Sequence, residues 1–194
     1  MISESLENKL INLKAYRKDR LLVAQFVLSN PETFPKLLDF CFKTSEEISC
    51  KAAWVLEFVF LENPKLLIPY LEEFFKKLPY IEKNQALRTM SKICELLVTW
   101  HYKKKEIANE FTFTEADKQI LVECCFDWLL KPMKVATKAF AMTTLYYLGT
   151  QYNWIHPELK AILESEMPQQ SAGYKARAKK TVQKIQLFEV RKAV

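Results

Sequence analysis

The chain repeats itself. Residues Arg20 to Pro31 (RLLVAQFVLSNP) align without a gap on Ala53 to Pro64 (AWVLEFVFLENP) at an offset of 33 residues. Lys18 and Lys51 stand at matching places just before the two apolar runs. One unit further on, Ala86, Met90, Ile93 and Cys94 repeat the pattern of Ala52, Leu56, Val59 and Phe60 at an offset of 34. A period of that size marks helical hairpins stacked into a solenoid, where each unit buries its apolar face only against its neighbours. Apolar residues recur at three- and four-residue spacing almost everywhere else, so an all-α chain is expected.

Helix starts punctuate the repeat. Asn30-Pro31, Asn63-Pro64 and His156-Pro157 place proline where a first helical turn tolerates it, and Thr44-Ser-Glu-Glu47 and Thr114-Glu-Ala-Asp117 have the form of capping boxes. The resulting division is five helical pairs, about 3–29, 31–62, 64–100, 114–152 and 156–190, within a single domain over residues 1–194. In each pair a first helix with a broad apolar stripe, such as Phe34, Leu37, Leu38 and Cys41, precedes a second, more apolar one. A second helix sandwiched between neighbours needs that near-continuous hydrophobicity. The aromatics Trp54, Phe58, Phe60, Phe126, Trp128, Tyr146 and Tyr147 lie at helical spacings and are expected in the core.

Glycine is confined to Gly149 and Gly173. That scarcity argues against phosphate cradles built from glycine turns and against sheets closed by tight hairpins. No HExxH, no Cys/His cluster and no Gly-x-Ser-x-Gly stands in the chain, so neither a catalytic residue, a metal nor a cofactor is expected. Glu4, Glu7 and Lys9 interrupt the N-terminus where a signal peptide needs an apolar run. The longest uncharged stretch, Ala139 to Pro157, carries Thr143, Thr144, Gln151, Asn153 and His156 and reads as a buried helix and a turn, with no membrane partner. Cys41, Cys50, Cys94, Cys124 and Cys125 are odd in number and sit in apolar helical patterns, which suits a reduced, cytoplasmic setting.

The 33–34-residue period, the proline-initiated first helices and the small residues early in the second ones (Ala52, Ala53, Ala86, Ala136, Ala139, Ala176) resemble HEAT/armadillo-type repeats. The resemblance implies a right-handed α-α superhelix of about five hairpins serving as a non-enzymatic binding or scaffold module. HEAT repeats usually carry an acid in the turn and a basic residue six positions later. Glu82 with Arg88 match that spacing, and Ser45 with Lys51 match its register.

Charge segregates between the helices of a pair. First helices are acidic, as at Glu72, Glu73, Glu123 and Asp127. Second helices begin basic, as at Arg17, Lys18 and Arg20, and cations in a first turn oppose the helix dipole. Such cations either bond to turn acids and neighbouring units or line a groove for an anionic partner. The groove reading selects Lys51, Arg88, Lys92, Lys134, Lys138 and Arg177, facing an acidic protein or peptide, with nucleic acid as a second candidate. Trp100-His-Tyr-Lys-Lys-Lys105 to Phe113 interrupts the rhythm, either as a solvated helix end and loop or as aromatics and lysines poised for bases and phosphates. The alternative function is a HEAT-like DNA-binding protein related to alkylpurine DNA glycosylases. Those enzymes use tryptophans, an aspartate and an arginine, and Trp54, Glu57 and Arg88 form the nearest set. The chain's net charge of +6 comes wholly from residues 172–194, where seven basic residues face only Glu189.

Overall fold

A computed structural model describes residues 5–44, 46–103 and 111–193. Among them are ten α-helices and no strand: α1 (Leu6–Ile11), α2 (Arg17–Ser29), α3 (Phe34–Cys41), α4 (Glu47–Glu62), α5 (Leu71–Lys77), α6 (Asn84–Lys103), α7 (Glu115–Leu130), α8 (Val135–Gly149), α9 (Ile155–Glu166) and α10 (Ala172–Ala193). The expected all-α class is observed. The chain forms two compact units, Met1–Ile93 and Cys94–Val194, whose boundary falls inside α6.

In the first unit α4 packs against α1, α2 and α3. Val55, Leu56, Val59 and Phe60 on α4 are at most 1% exposed, and each contributes about 1.5–3 kcal/mol by leaving water. In the second unit α8 lies against α7, α9 and α10, so helices cover it on most sides. That is why its sequence, from Ala141 to Leu148, has almost no polar stripe. Hydroxyls inside these helices satisfy themselves locally: buried Ser49, Ser91 and Thr144 donate to the carbonyls of Glu46, Arg88 and Phe140 at 2.7, 3.0 and 3.1 Å.

The helix starts fall near the punctuation in the sequence, with one shift. Thr114 and Asp117 close a capping box, each side chain bonding the other's backbone N–H, at 3.1 and 2.9 Å. α4 instead begins after Glu46, whose side chain gives no cap; Ser45 lies outside the described residues. Pro31 opens a single 3₁₀ turn that leads into α3, Pro64 opens the first of two 3₁₀ turns before α5, and Pro157 is the third residue of α9.

Candidate functional site

In the first unit, second helices α2, α4 and α6 carry a cationic and aromatic face. Trp54 and Phe58 on α4 are partly exposed, a departure from the expected core position. α2 explains the difference. The Arg20 guanidinium lies 5.5 Å from the Trp54 ring centre and 5.8 Å from that of Phe58, while Arg17 lies 5.8 Å from Phe58. The rings therefore serve as platforms for charge at the surface. Beside them Glu57 accepts a hydrogen bond from Lys92 at 2.6 Å, pairs with Arg88 at 3.6 Å and receives the Thr89 hydroxyl at 3.4 Å.

In the second unit, α10 supplies a register of cations that face α8 and the end of α6. Lys184 Nζ stands 5.4 Å from the centre of the half-buried Tyr146 ring, and Lys103 Nζ stands 5.9 Å from that of Tyr147. Arg177 donates to the Thr143 hydroxyl at 3.1 Å and pairs with Glu95 at 3.6 Å. Burial pulls the Lys184 ammonium below its usual range, and Lys103, Lys180 and Arg177 push it the same way against the opposing pull of Glu95. Burial and the Tyr147 phenol raise Tyr146, while Lys103 and Arg191 act on it in the opposite direction. Lys184, Lys103 and Arg191 thus act on Tyr146, while Lys180 and Arg177 act on Lys184 and Arg177 pairs with Glu95.

Beneath this face the packing is aromatic and close. The His156 ring stacks on Tyr146 at 5.5 Å, meets Phe188 edge-on at 5.2 Å, and its Nε2 donates to the Tyr146 carbonyl at 2.8 Å. Tyr102 stacks on Tyr147 with ring centres 6.0 Å apart and donates from its hydroxyl to Gln151 at 2.8 Å.

The residues selected from the sequence occupy varied places. Lys51 donates to the Ile11 carbonyl at the end of α1, 2.5 Å away. Arg88 and Lys92 meet on Glu57, so the spacing of Glu82 and Arg88 does not become an ion pair: Arg88 faces α4, and Glu82 is solvated. Lys134 is exposed at the start of α8 and forms no ion pair among the described residues. Lys138 is 5% exposed; it donates to the Leu129 carbonyl and pairs with Glu166 at 3.2 Å, while Tyr174 donates to the same carboxylate at 2.8 Å. Arg177 reaches the face around Tyr146.

Of the other sequence candidates, Lys104 and Lys105 lie outside the described residues, whereas Phe111 and Phe113 are buried against His101. Glu57, proposed for base chemistry, is committed to three partners of its own chain, and Trp54 is covered by Arg20. Sequence reasoning missed Lys103, Lys180, Lys184 and Arg191 as one cluster. Its signal was present in the spacing 177, 180, 184 and 191, which recurs on one helical face.

The fold defines a class of protein: an all-α chain whose described helices, within each unit, pack on their neighbours in sequence. The HEAT repeat domain family matches residues 6–185, and the chain belongs to that family. No curated protein matches it, and neither does any solved structure. Among the described residues no helix is long and apolar enough to cross a membrane.

Proposed function

We propose that the chain is a non-enzymatic, cytoplasmic binding module whose partner is an acidic segment of a protein or peptide. Membership of the HEAT repeat domain family supports the general role, since such repeats act as protein-interaction scaffolds. One observation carries the particular reading: Lys184 lies over the Tyr146 ring and Lys103 over the adjoining Tyr147 ring, with Arg177 on Thr143 one helical turn away. Like charges kept at close quarters weaken the folded state, and an anionic partner relieves that repulsion. The Tyr146 ring adds a flat, partly dry surface on which the stem of an aspartate or glutamate packs.

Among the residues chosen from the sequence, Arg177 belongs to this contact, exposed Lys134 adds attraction in the same unit, and Arg88 is paired with Glu57 in the first unit. Lys51, Lys92 and Lys138 act indirectly, by fixing the helices they bridge. The test is affinity capture from the native cell with the wild-type chain and with a Lys184→Glu/Arg191→Glu variant. A partner bearing an acidic stretch is expected on the wild type at low salt, and its loss is expected from the variant and above about 0.3 M salt. A partner retained equally by both chains overturns the proposal.

A further inference from the structure

The acids of α7 have a use apart from the face around Tyr146. Glu115, Gln119, Val122 and Glu123 follow the three- and four-residue spacing of one helix face, and with Tyr152 and Trp154 they line a depression of about 390 Å³. Its walls are held in place by their own chain. The Trp154 ring stacks on Phe126 with centres 5.8 Å apart and planes at 21°, yet 55% of the residue stays exposed. Glu115 is committed on both oxygens: Lys118, also in the lining, binds one at 2.7 Å, and the Tyr152 hydroxyl donates to the other. These bonds hold its carboxyl below the usual range. Glu123 differs. Its side chain is exposed, it accepts the Gln119 amide at 3.0 Å on one oxygen, and no cation of the described residues pairs with it. Two carboxylates against one ammonium leave the lining with a net charge of −1.

We infer that this depression receives the guanidinium of an arginine on a peptide segment of a partner protein, stacked on Trp154 and paired with Glu123. Charge complementarity sets the sign of the ligand. Its kind follows from the pairing of a carboxylate with an exposed indole, the aromatic ring that attracts cations best. A guanidinium is planar and weakly hydrated, and it offers a carboxylate two parallel N–H donors while its face lies on a ring. A lysine ammonium is a strongly hydrated point charge and gains less from the indole. The site lies wholly in the second unit and stands whether or not the face around Tyr146 takes an acidic partner.

The test follows the indole N–H resonances of the intact chain by ¹H–¹⁵N NMR, with Trp154 assigned by Trp154→Phe. The probes are acetyl-Gly-Gly-Arg-Gly-Gly amide and the same peptide with lysine or glutamine in place of arginine. A saturable shift of the Trp154 resonance is expected with the arginine peptide, at an affinity at least about threefold above that of lysine and about tenfold above that of glutamine. Glu123→Gln is expected to keep the wild-type circular dichroism and to bring the arginine peptide within about twofold of the glutamine peptide. Glu158→Gln removes the same charge from an exposed position outside the depression and should leave the arginine preference in place. Equal affinity for arginine and lysine, equal losses in the two glutamine variants, shifts confined to other indoles, or no saturable shift at all overturns the inference.

Discussion

A Cβ placed on Gly149 would stand 2.1 Å from Cδ2 and 2.5 Å from Nε2 of His156. Gly149 is therefore glycine for room and not for backbone freedom, because no residue of the described chain has a positive φ. The His156 ring closes over the end of α8 and supports Tyr146 from below. Gly149→Ala is expected to lower stability by about 2 kcal/mol through overpacking. Adding His156→Ser to it should recover part of that loss, with a coupling of about 1 kcal/mol in a double-mutant cycle read by urea unfolding. Simple additivity of the two changes would contradict this reading.

Lys138 and Glu166 form a pair with the lysine buried and the carboxylate shared by Tyr174. Glu166→Ala leaves the ammonium with the Leu129 carbonyl alone and should cost about 3 kcal/mol. Lys138→Met leaves the Glu166 carboxylate, 23% exposed, with the Tyr174 hydroxyl and water, so it is expected to cost less. Equal losses for the two variants in denaturant unfolding would show that the pair acts otherwise.

Burial, and then the Lys118 ammonium, holds the His101 imidazolium below its usual pKa. The unfolded chain therefore takes up its proton first as pH falls, and the folded state loses stability from about pH 6.5 downward until the folded group also titrates. Above that range the residue has no effect on the pH dependence. The melting temperature of the wild type should drop more between about pH 7.5 and 5.5 than that of His101→Gln. Parallel curves for the two chains would refute the assignment.

All five cysteines are buried. Burial pushes the Cys41, Cys94 and Cys125 thiols well above their ordinary range, and burial followed by Asp127 and Glu123 carries Cys124 up to about 12. Thiolates are scarce in the folded protein as a result, and reaction with a disulfide reagent at mildly alkaline pH should be slow until denaturant is added. A fast stoichiometric thiol in the native chain would contradict this burial pattern.

Much of the fold is readable from the sequence, because helical periodicity and the 33-residue offset record which faces are covered. The Thr114–Asp117 capping box is local chemistry and forms as its residues suggest. What local reading misses is where a long side chain reaches. Lys138 and Lys184 look alike in a string of residues, yet one turns inward to Glu166 and the other lies over Tyr146. Aromatic spacing likewise places Phe60 and Trp54 on one helix without saying that Phe60 is buried and Trp54 supports Arg20 at the surface. Those choices depend on contacts across helices, which periodicity alone does not encode.

Binding of an acidic segment is read from the salt dependence of affinity for a fluorescent peptide of twelve glutamates, measured by anisotropy on the wild-type chain and on Lys180→Glu/Lys184→Glu. Wild-type binding is expected to be saturable and to weaken at least about fivefold between roughly 50 and 200 mM salt, with none by the variant, whose circular dichroism stays that of the wild type. Affinity indifferent both to salt and to the double reversal would contradict it.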